Sequence, residues 1–582
     1  MYRLGNLKIS NFRSCRDIEV PLAGVTPLIG YNNAGKSNVL AACKWFAAPS
    51  ALHEGDFADR GSAVQVEGTI SGVTTELLEA LFPQHRERLI PFVSEGSVTF
   101  RRRQVLGASV KQIELHVRDP ANGEFQRNPA GIPQAFDAMF PEPITIGAME
   151  IASDEVGRAK ASNTIGKLLA DLLAPIERDH GDEYRGQIQS LRDKLSADGA
   201  SRAPALRQFD EDASARVSDF FPGIAVRVDV PLPEIKDIFK SGTIRVYEVG
   251  HVGRDLTSLG HGAQRCIQMA LVRMLAERGT EKAGRTLLLV DEPELYLHPQ
   301  AIEMLRAAFR RLSMDGYQVV YSTHSPIMLD EAANRDVVLI RKDDTRGTYR
   351  RRTLPEAVER CARDREHQTE LLFSLANASQ VLFAEQVVLA EGKTEKHVLP
   401  VLFEYVAGKS LGASRTALVP IEGSGSIAPM REVIDALDLP SRVIADLDYV
   451  FQHRSTLNLT READEALERC IRHLKVMEAE GICQLNAQTS LPEKSTRGTA
   501  LDAFQKLAED QRVRDDLDLL IHHLRSAGIW IWRRGAIEEH LGITQKTPRA
   551  WASLCDKVRA EGLDGSVADA DAIRDLVRWV LA

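Results

Sequence analysis

The chain has little of what marks a small nucleic-acid-binding domain. Across 582 residues, Lys and Arg number 73 against 82 Asp and Glu, a formal charge of −9, and the pI is near 6.0. That balance excludes a uniformly basic surface, but not a local basic channel or a metal-bridged phosphate contact. Cysteine is scarce: seven residues, at 15, 43, 266, 361, 470, 483 and 555, with no Cys-x-x-Cys pair. The scatter and the odd count exclude a zinc knuckle and a disulfide framework, and they fit a reducing cytoplasm. No run reaches the roughly 18 apolar residues that a membrane span needs, so no membrane partner is expected. The opening Met1-Tyr2-Arg3-Leu4-Gly5-Asn6 has no apolar signal core. Internal repeats and low-complexity tracts are also missing. What remains is an ordinary globular composition, 44% hydrophobic and 27% charged, in a chain too long for one core.

Periodicity organises the chain. Leu7 and Ile9 alternate with Lys8 and Ser10, and Asp17-Ile18-Glu19-Val20 suggests a second strand. Val25-Thr26-Pro27-Leu28-Ile29 runs into a Gly-rich loop, and a helix is predicted from Lys36. Residues 62–120 read as β-rich. From 155 to 220 the pattern is helical, with Ile165, Leu168, Leu169, Leu172 and Leu173 at helical spacing, and this block is expected to be an insertion. Strands are predicted to resume at 224–230. The apolar runs at 287–290 and 319–322 read as buried strands, and strands alternating with helices predict a parallel α/β sheet. A second α/β unit is expected near 381, opening on the strand Gln386-Val387-Val388-Leu389-Ala390. The predicted fold class is therefore α/β, with domains at 1–375 and 381–582 and additional helices at the C-terminal end.

Gly30-Tyr31-Asn32-Asn33-Ala34-Gly35-Lys36-Ser37 satisfies G-x-x-x-x-G-K-[ST]. In such a loop the backbone N–H groups around Asn32, Asn33 and Gly35 close on phosphates. Lys36 reaches the β/γ-phosphates, and Ser37 ligates Mg²⁺. The expected nucleotide is ATP. Leu287-Leu288-Leu289-Val290-Asp291-Glu292-Pro293 is an apolar strand ending in two carboxylates. Asp291 is placed to hold Mg²⁺ or its waters, and Glu292 to polarise an attacking water. Tyr321-Ser322-Thr323-His324-Ser325-Pro326 follows another buried strand, and His324 is expected to donate an N–H to the γ-phosphate. With Asn11-Phe12-Arg13-Ser14 and Leu297-His298-Pro299, this order of motifs resembles ABC-type ATPases of the SMC and RecF kind. The resemblance implies that a loop of one subunit closes on the ATP of another. Here Ser258 and Gly260, in Leu256-Thr257-Ser258-Leu259-Gly260-His261-Gly262, match that loop, although the family's L-S-G-G is absent.

A second acidic pattern follows. The strand at 387–390 ends at Glu391-Gly392, with Glu395 four residues on in a predicted helix over 395–402. A strand at 417–420 leads to the turn Gly423-Ser424-Gly425-Ser426. A third strand, at 442–445, ends in Asp446-Leu447-Asp448. Residues two apart on a strand share a face, so Asp446 and Asp448 are expected to point together. Such carboxylates repel one another unless protonated or metal-bound, and hard divalent cations are the usual resolution.

This pattern resembles the Toprim fold of topoisomerases, primases and related nucleases. An ABC-type ATPase followed directly by Toprim resembles the OLD family of nucleases, which includes the nuclease subunit of the Gabija anti-phage system. The resemblance implies an ATP-regulated, two-metal endonuclease acting on DNA with Mg²⁺ or Mn²⁺, in anti-phage defence. It also implies a homodimer or higher homo-oligomer, paired through a segment inside the ATPase such as 155–220, and in some relatives a helicase-like partner protein. Glu391, Asp446 and Asp448 would hold the core site, with Glu395 and Glu538 at a second metal. The family carries a late motif of a basic residue before Gly and then Ile-Glu; Arg533-Arg534-Gly535-Ala536-Ile537-Glu538-Glu539 occupies that place. Arg534 is the candidate, with Arg533 open beside it, and Glu538 competes with Glu539. Two other readings stand. One is an RNA- or tRNA-cleaving effector with the same chemistry, and the other is a non-cleaving ATP-driven clamp on nucleic acid. Arg101-Arg102-Arg103 and Arg350-Arg351-Arg352 read as solvated surface more readily than as a phosphate track. Trp530 and Trp532 read as core.

Overall fold

Alternation in the first third of the chain and continuous apolar runs further on produce two halves of one sheet. A computed structural model describes residues 2–80, 83–127, 129–139, 143–147, 164–232, 245–247, 253–278, 286–329, 336–360, 378–421 and 423–582. In chain order the strands are β1 (Arg3–Phe12), β2 (Cys15–Pro21), β3 (Val25–Ile29), β4 (Val64–Ser71), β5 (Ser97–Gln104), β6 (Glu114–Arg118), β7 (Phe125–Arg127) and β8 (Ile144–Ile146). They continue with β9 (Arg245–Val246), β10 (Arg254–Asp255), β11 (Thr286–Val290), β12 (Tyr317–Thr323), β13 (Val338–Asp343) and β14 (Gly347–Arg350).

Twelve of these strands form one sheet in the order β7-β6-β5-β4-β1-β2-β14-β13-β3-β12-β11-β8. From β7 to β13 neighbouring strands are antiparallel, and burial alternates strictly along β4 and β5, as expected for a sheet with one covered face. From β13 to β8 the strands are parallel. There β12 is buried throughout and β11 nearly so, as expected when helices cover both faces. Because β3, β12 and β11 are parallel neighbours, their C-terminal ends lie side by side. Residues almost 300 positions apart in sequence meet there for that reason.

The helical block begins with helices Thr164–Leu195 and Pro204–Ser218. The predicted apolar stripe from Ile165 to Leu173 lies outside the described side chains, and 155–163 lie outside the described residues. Arg202, between the two helices, ties them to the segment after Ser218. It pairs with Asp210 at 2.6 Å and donates to Val228 O at 2.7 Å. The strand predicted at 224–230 is not formed. The segment is held by Arg202, Asp210 and Ser214 and pairs with no strand among the described residues.

The chain divides into Met1–Arg350 and Arg351–Ala582. The second unit starts ahead of the expected change of domain between 375 and 381 because Leu354 and Ala357, in helix Leu354–Arg360, bury into its core; residues 361–377 lie outside the described set. Its strands are β15 (Gln386–Ala390), β16 (Thr416–Pro420), β17 (Ser441–Ala445) and β18 (Ile529–Ile531), all parallel, in the order β16-β15-β17-β18. Val387, Leu389, Val443, Ala445, Ile529 and Ile531 pack to one side, with helices such as Arg461–Ala479 and Arg514–Ser526. Val388, Ile444 and Trp530 pack to the other, with Trp532 and helices Lys393–Ala407, Pro548–Glu561 and Ala570–Leu581. Successive strand residues thus feed opposite cores. No helix of the described residues is long and apolar enough to cross a membrane.

Candidate active sites

At the end of β3 the chain turns sharply into helix Lys36–Ala47. Gly35 sits at φ +104°, and a Cβ there would lie 2.1 Å from Thr348 Oγ1, so the motif's second glycine is required by backbone and space alike. Asn32, Asn33 and Ser37 are exposed around the loop, while Lys36 is buried. Its Nζ donates to the carbonyls of Gly30 (3.1 Å) and Tyr31 (3.2 Å) and lies 2.7 Å from His324 Nε2. Burial pushes the Lys36 ammonium below its ordinary pKa, against the pull of Glu292, Asp291 and Glu294.

Two neighbouring strand ends complete the site. Asp291 accepts from Ser322 Oγ, and the Glu292 N–H donates to the same hydroxyl at 3.0 Å. Glu292 occupies the left-handed region at φ +46°, a conformation that surrounding contacts must hold in place. Arg265 supplies them, donating to the carbonyls of Asp291 (3.1 Å) and Glu292 (2.9 Å). Burial, with Asp291 next to it, raises the Glu292 pKa, and Lys36 acts the other way. The result is a stronger proton acceptor than an exposed carboxylate. His324 has its pKa lowered by burial and by Lys36, and its Nε2 faces the Lys36 ammonium. Glu292 Oε1 lies 3.4 Å from the same nitrogen.

Lys36, Asp291, Glu292 and His324 thus converge. Ser258 and Gly260 do not join them. Both are exposed, Ser258 Oγ donates to Asp255 O at 2.7 Å, and among the described residues no hydrogen bond links either to the phosphate loop. Sequence reasoning missed Glu294, whose Oε1 accepts from Thr323 Oγ1 (2.7 Å) and the His324 N–H (2.8 Å) and so fixes the His324 loop. It also missed the bracing by Arg265. Glu294 lies three residues past Asp291, a spacing that signalled nothing by itself.

The second site is built on the ends of β15 and β17. Glu391 follows β15, and Gly392 starts helix Lys393–Ala407, which begins before the predicted 395 and runs past 402. A Cβ on Gly392 would come 2.7 Å from Glu395 Oε2, so the glycine makes room for that carboxylate. After β17 the shared-face expectation for Asp446 and Asp448 fails. Asp446 is the N-cap of helix Leu447–Gln452, and Asp448 stands in its first turn. The two nevertheless meet, because the strand end turns directly into a helix. Carboxylate oxygens of Glu391, Asp446 and Asp448 lie within 4.8 Å of one another. The Asp446 N–H donates to Glu391 Oε2 at 3.0 Å, and Gln452 Nε2 donates to Asp448 Oδ2 at 2.8 Å.

A cleft of about 270 Å³ is lined by Glu391, Glu395, Asp446, Glu538 and Lys546, among others. Glu538 is buried, and its Oε1 accepts from Thr394 Oγ1 at 2.7 Å. Its neighbour Glu539 is exposed and accepts from Gln505 at 2.7 Å. Arg534 is placed 3.3 Å from Asp569, and Arg533 2.7 Å from Asp518; neither lines the cleft. Burial, then Glu395 and Glu391, raises Asp446 well above the usual carboxylate range. Burial, with Glu538 and Glu391, pushes Glu395 up to about 7. Glu391 and Asp448 are also raised, chiefly by burial. Asp446 Oδ1 is buried with no hydrogen-bond partner. Crowded oxygen ligands and an orphaned carboxylate oxygen fit a hard divalent cation.

Fold and sites together define an ATPase domain joined to a Toprim nuclease domain. The family described as AAA ATPase domain matches residues 3–90 and 153–329, and the Toprim domain of proteins like the overcoming lysogenization defect protein matches 382–448. The Old nuclease of Escherichia phage P2 is 35% identical over 99% of this chain and 100% of its own. The OLD nuclease of Thermus scotoductus (strain ATCC 700910 / SA-01) is 25% identical over 76% of this chain and 82% of its own. The chain belongs to the OLD family. A solved SMC head, bound to the C-terminal winged-helix domain of ScpA, is similar over 60% of this chain and 96% of its own, at 14% identity and a TM-score of 0.36.

Proposed function

We propose that the chain is an ATP-regulated endonuclease that cleaves DNA with Mg²⁺ or Mn²⁺ in anti-phage defence, with a helicase-like protein as a partner. The observation that carries this reading is the convergence of Glu391, Asp446 and Asp448 at one point, with Glu395 and Glu538 in the adjoining cleft. The first three would hold one cation and the last two a second. Cations so held supply an activated water and charge stabilisation at the leaving oxygen. The chain's own contribution is to fix the ligands: the Asp446 N–H orients Glu391, Gln452 orients Asp448 and Thr394 orients Glu538. In the head, Lys36 with the Asn32–Asn33–Gly35 backbone binds phosphates, Ser37 and Asp291 hold Mg²⁺, and Glu292 takes a proton from the attacking water.

Supercoiled plasmid, linear duplex and tRNA, each with Mg²⁺ or Mn²⁺ and with or without ATP, test the reading. Plasmid is expected to be nicked or linearised with either ion, with none cut in EDTA and tRNA intact. Cleavage of tRNA alone would make the target RNA. ATP turnover with no cleavage of any substrate would leave a clamp. The exposure of Ser258 and Gly260 supports a working unit of at least two subunits, each closing the other's ATP site. ATP turnover per chain should then fall on dilution, and a monomer hydrolysing at full rate would refute the pairing.

A further inference from the structure

We infer that His540, fixed by Asp569, is a positioning residue of the nuclease cleft and sets Glu538 against Asp446 and Asp448. The inference rests on the nuclease reading above and deepens it. Asp446 and Asp448 follow β17, whereas Glu538 stands on helix Ile537–Leu541. The turn at 532–535 lies between these elements. Its Trp532 N–H donates to Ala445 O at 3.1 Å, and its Gly535 O accepts from the Leu447 N–H at 2.7 Å. Ala445 and Leu447 flank Asp446, so the turn grips the strand end on both sides of that ligand. Gly535 takes φ +104° there, a conformation open to glycine.

His540, two residues past Glu538, joins the turn to the helix. It is buried, and its ring packs against Trp532 with centroids 5.0 Å apart. The Arg534 N–H donates to His540 Nε2 at 3.1 Å. A backbone N–H can only donate, so Nε2 carries no proton and the ring hydrogen sits on Nδ1. Nδ1 then donates to Asp569 Oδ2 at 2.9 Å. Asp569 is fixed in turn: its N–H donates to His540 O at 2.9 Å, and its Oδ1 accepts from the Ala572 N–H at 3.2 Å as the N-cap of helix Ala570–Leu581. One run of hydrogen bonds thus sets the tautomer, the ring and the turn that holds Leu447. A ring that only filled space would need none of them. The late basic-Gly motif acts here through the backbone of Arg534, whose guanidinium lies 3.3 Å from the Asp569 carboxylate.

The test compares His540→Phe, Asp569→Ser and the double variant in the full chain. His540→Phe keeps an aromatic ring against Trp532 and removes both ring hydrogen bonds. Asp569→Ser keeps an N-cap for the last helix and removes the carboxylate behind Nδ1. Mn²⁺ binding is followed by electron paramagnetic resonance of the free ion, single-turnover cleavage of plasmid is timed across Mn²⁺ concentrations, and the metal-free proteins are melted. Each single variant should bind Mn²⁺ about tenfold more weakly, the lower end of the scale for residues behind metal ligands. Half-maximal cleavage should need correspondingly more Mn²⁺, and excess Mn²⁺ should restore most of the rate. The double variant should lose no more affinity than His540→Phe, because the two side chains act as one unit. Asp569→Ser should melt close to the parent. An unchanged Mn²⁺ affinity in Asp569→Ser overturns the inference, and so do losses that add in the double variant. So does an Asp569→Ser protein that melts far below the parent, since the pair then supports the fold and not the cleft. If His540→Phe does not fold, Asp569→Ser decides by itself. If the parent protein binds Mn²⁺ but cuts nothing, the nuclease reading alone fails and the affinities still decide; a parent that binds no Mn²⁺ removes the cation assignment and this inference with it.

Discussion

Lys36 and Glu292 carry opposite charges into the same partly buried space, and burial acts against both. Their removal should be felt at different steps. Lys36→Ala deletes a charged donor to phosphate, a loss of about 1.5–3 kcal/mol, and should weaken ATP binding about ten- to a hundredfold. Glu292→Gln keeps shape and should bind ATP normally while hydrolysing it about 10²- to 10⁴-fold more slowly. Equilibrium binding of a fluorescent nucleotide and phosphate release separate the two, and equal loss of binding in both variants would contradict the assignment. In the nuclease cleft, Glu395 is raised from 4.5 to about 7, so the folded state keeps a proton that the unfolded chain has released. Between those values the metal-free protein therefore loses stability as pH rises. Metal binding must expel that proton, so Mn²⁺ affinity should increase between about pH 6 and 8. Titrating the Mn²⁺-induced rise in melting temperature across this range should show the slope, and Glu395→Gln should flatten it.

Elements were legible where a local pattern and a chemical need coincide. The strand-loop-helix at 25–47 follows from an apolar run, two glycines and a lysine, and the strand ends at Asp291 and Glu391 from apolar runs stopped by carboxylates. What escaped depended on partners that only the folded chain brings together. The alternation at 224–230 reads as a strand, yet no strand lies beside it among the described residues. Lys546 belongs to no motif, and only the turn after helix Ile537–Leu541 brings it to Glu538. The run Arg101-Arg102-Arg103 reads as surface, but strand period 2 turns its middle member inward with Val98, Phe100 and Gln104. Arg102 donates to Phe46 O at 2.5 Å and to Ala47 O at 3.5 Å. It thereby caps the C-terminal end of the helix whose N-terminal end follows the phosphate loop, where a cation also complements the helix dipole. Arg102→Met should cost about 1.5–3 kcal/mol, because charged hydrogen bonds are lost and carbonyls are orphaned. Arg101→Met, which breaks a pair with Glu67 whose side chains are 25% and 23% exposed, should cost less, about 1 kcal/mol. Urea unfolding of the two variants checks the contrast, and equal midpoints would show that Arg102 does not act as a cap.

At the scale of the molecule, each unit carries its own core and its own acidic centre. The head's site draws on β3, β11 and β12, and the nuclease cleft on β15, β17 and helix Ile537–Leu541 after β18. No side chain assigned to one reaction is shared with the other, so loss of a cleft ligand should leave ATP chemistry in place. Asp446→Ala removes the carboxylate with the orphaned oxygen and should abolish strand cleavage in both Mg²⁺ and Mn²⁺. ATP hydrolysis should stay near the parental rate. Glu391→Gln should behave alike, since it loses a charge at the same point while keeping its volume. Removing a carboxylate crowded by Glu395, Glu391, Glu538 and Asp448 relieves repulsion, so metal-free Asp446→Ala should melt no lower than the parent. Plasmid nicking, phosphate release and thermal melting on one preparation decide the matter. Cleavage by Asp446→Ala at the parental rate would remove the nuclease function from this cleft. Parallel loss of ATP hydrolysis in a protein that still melts like the parent would show that the two centres are not chemically independent.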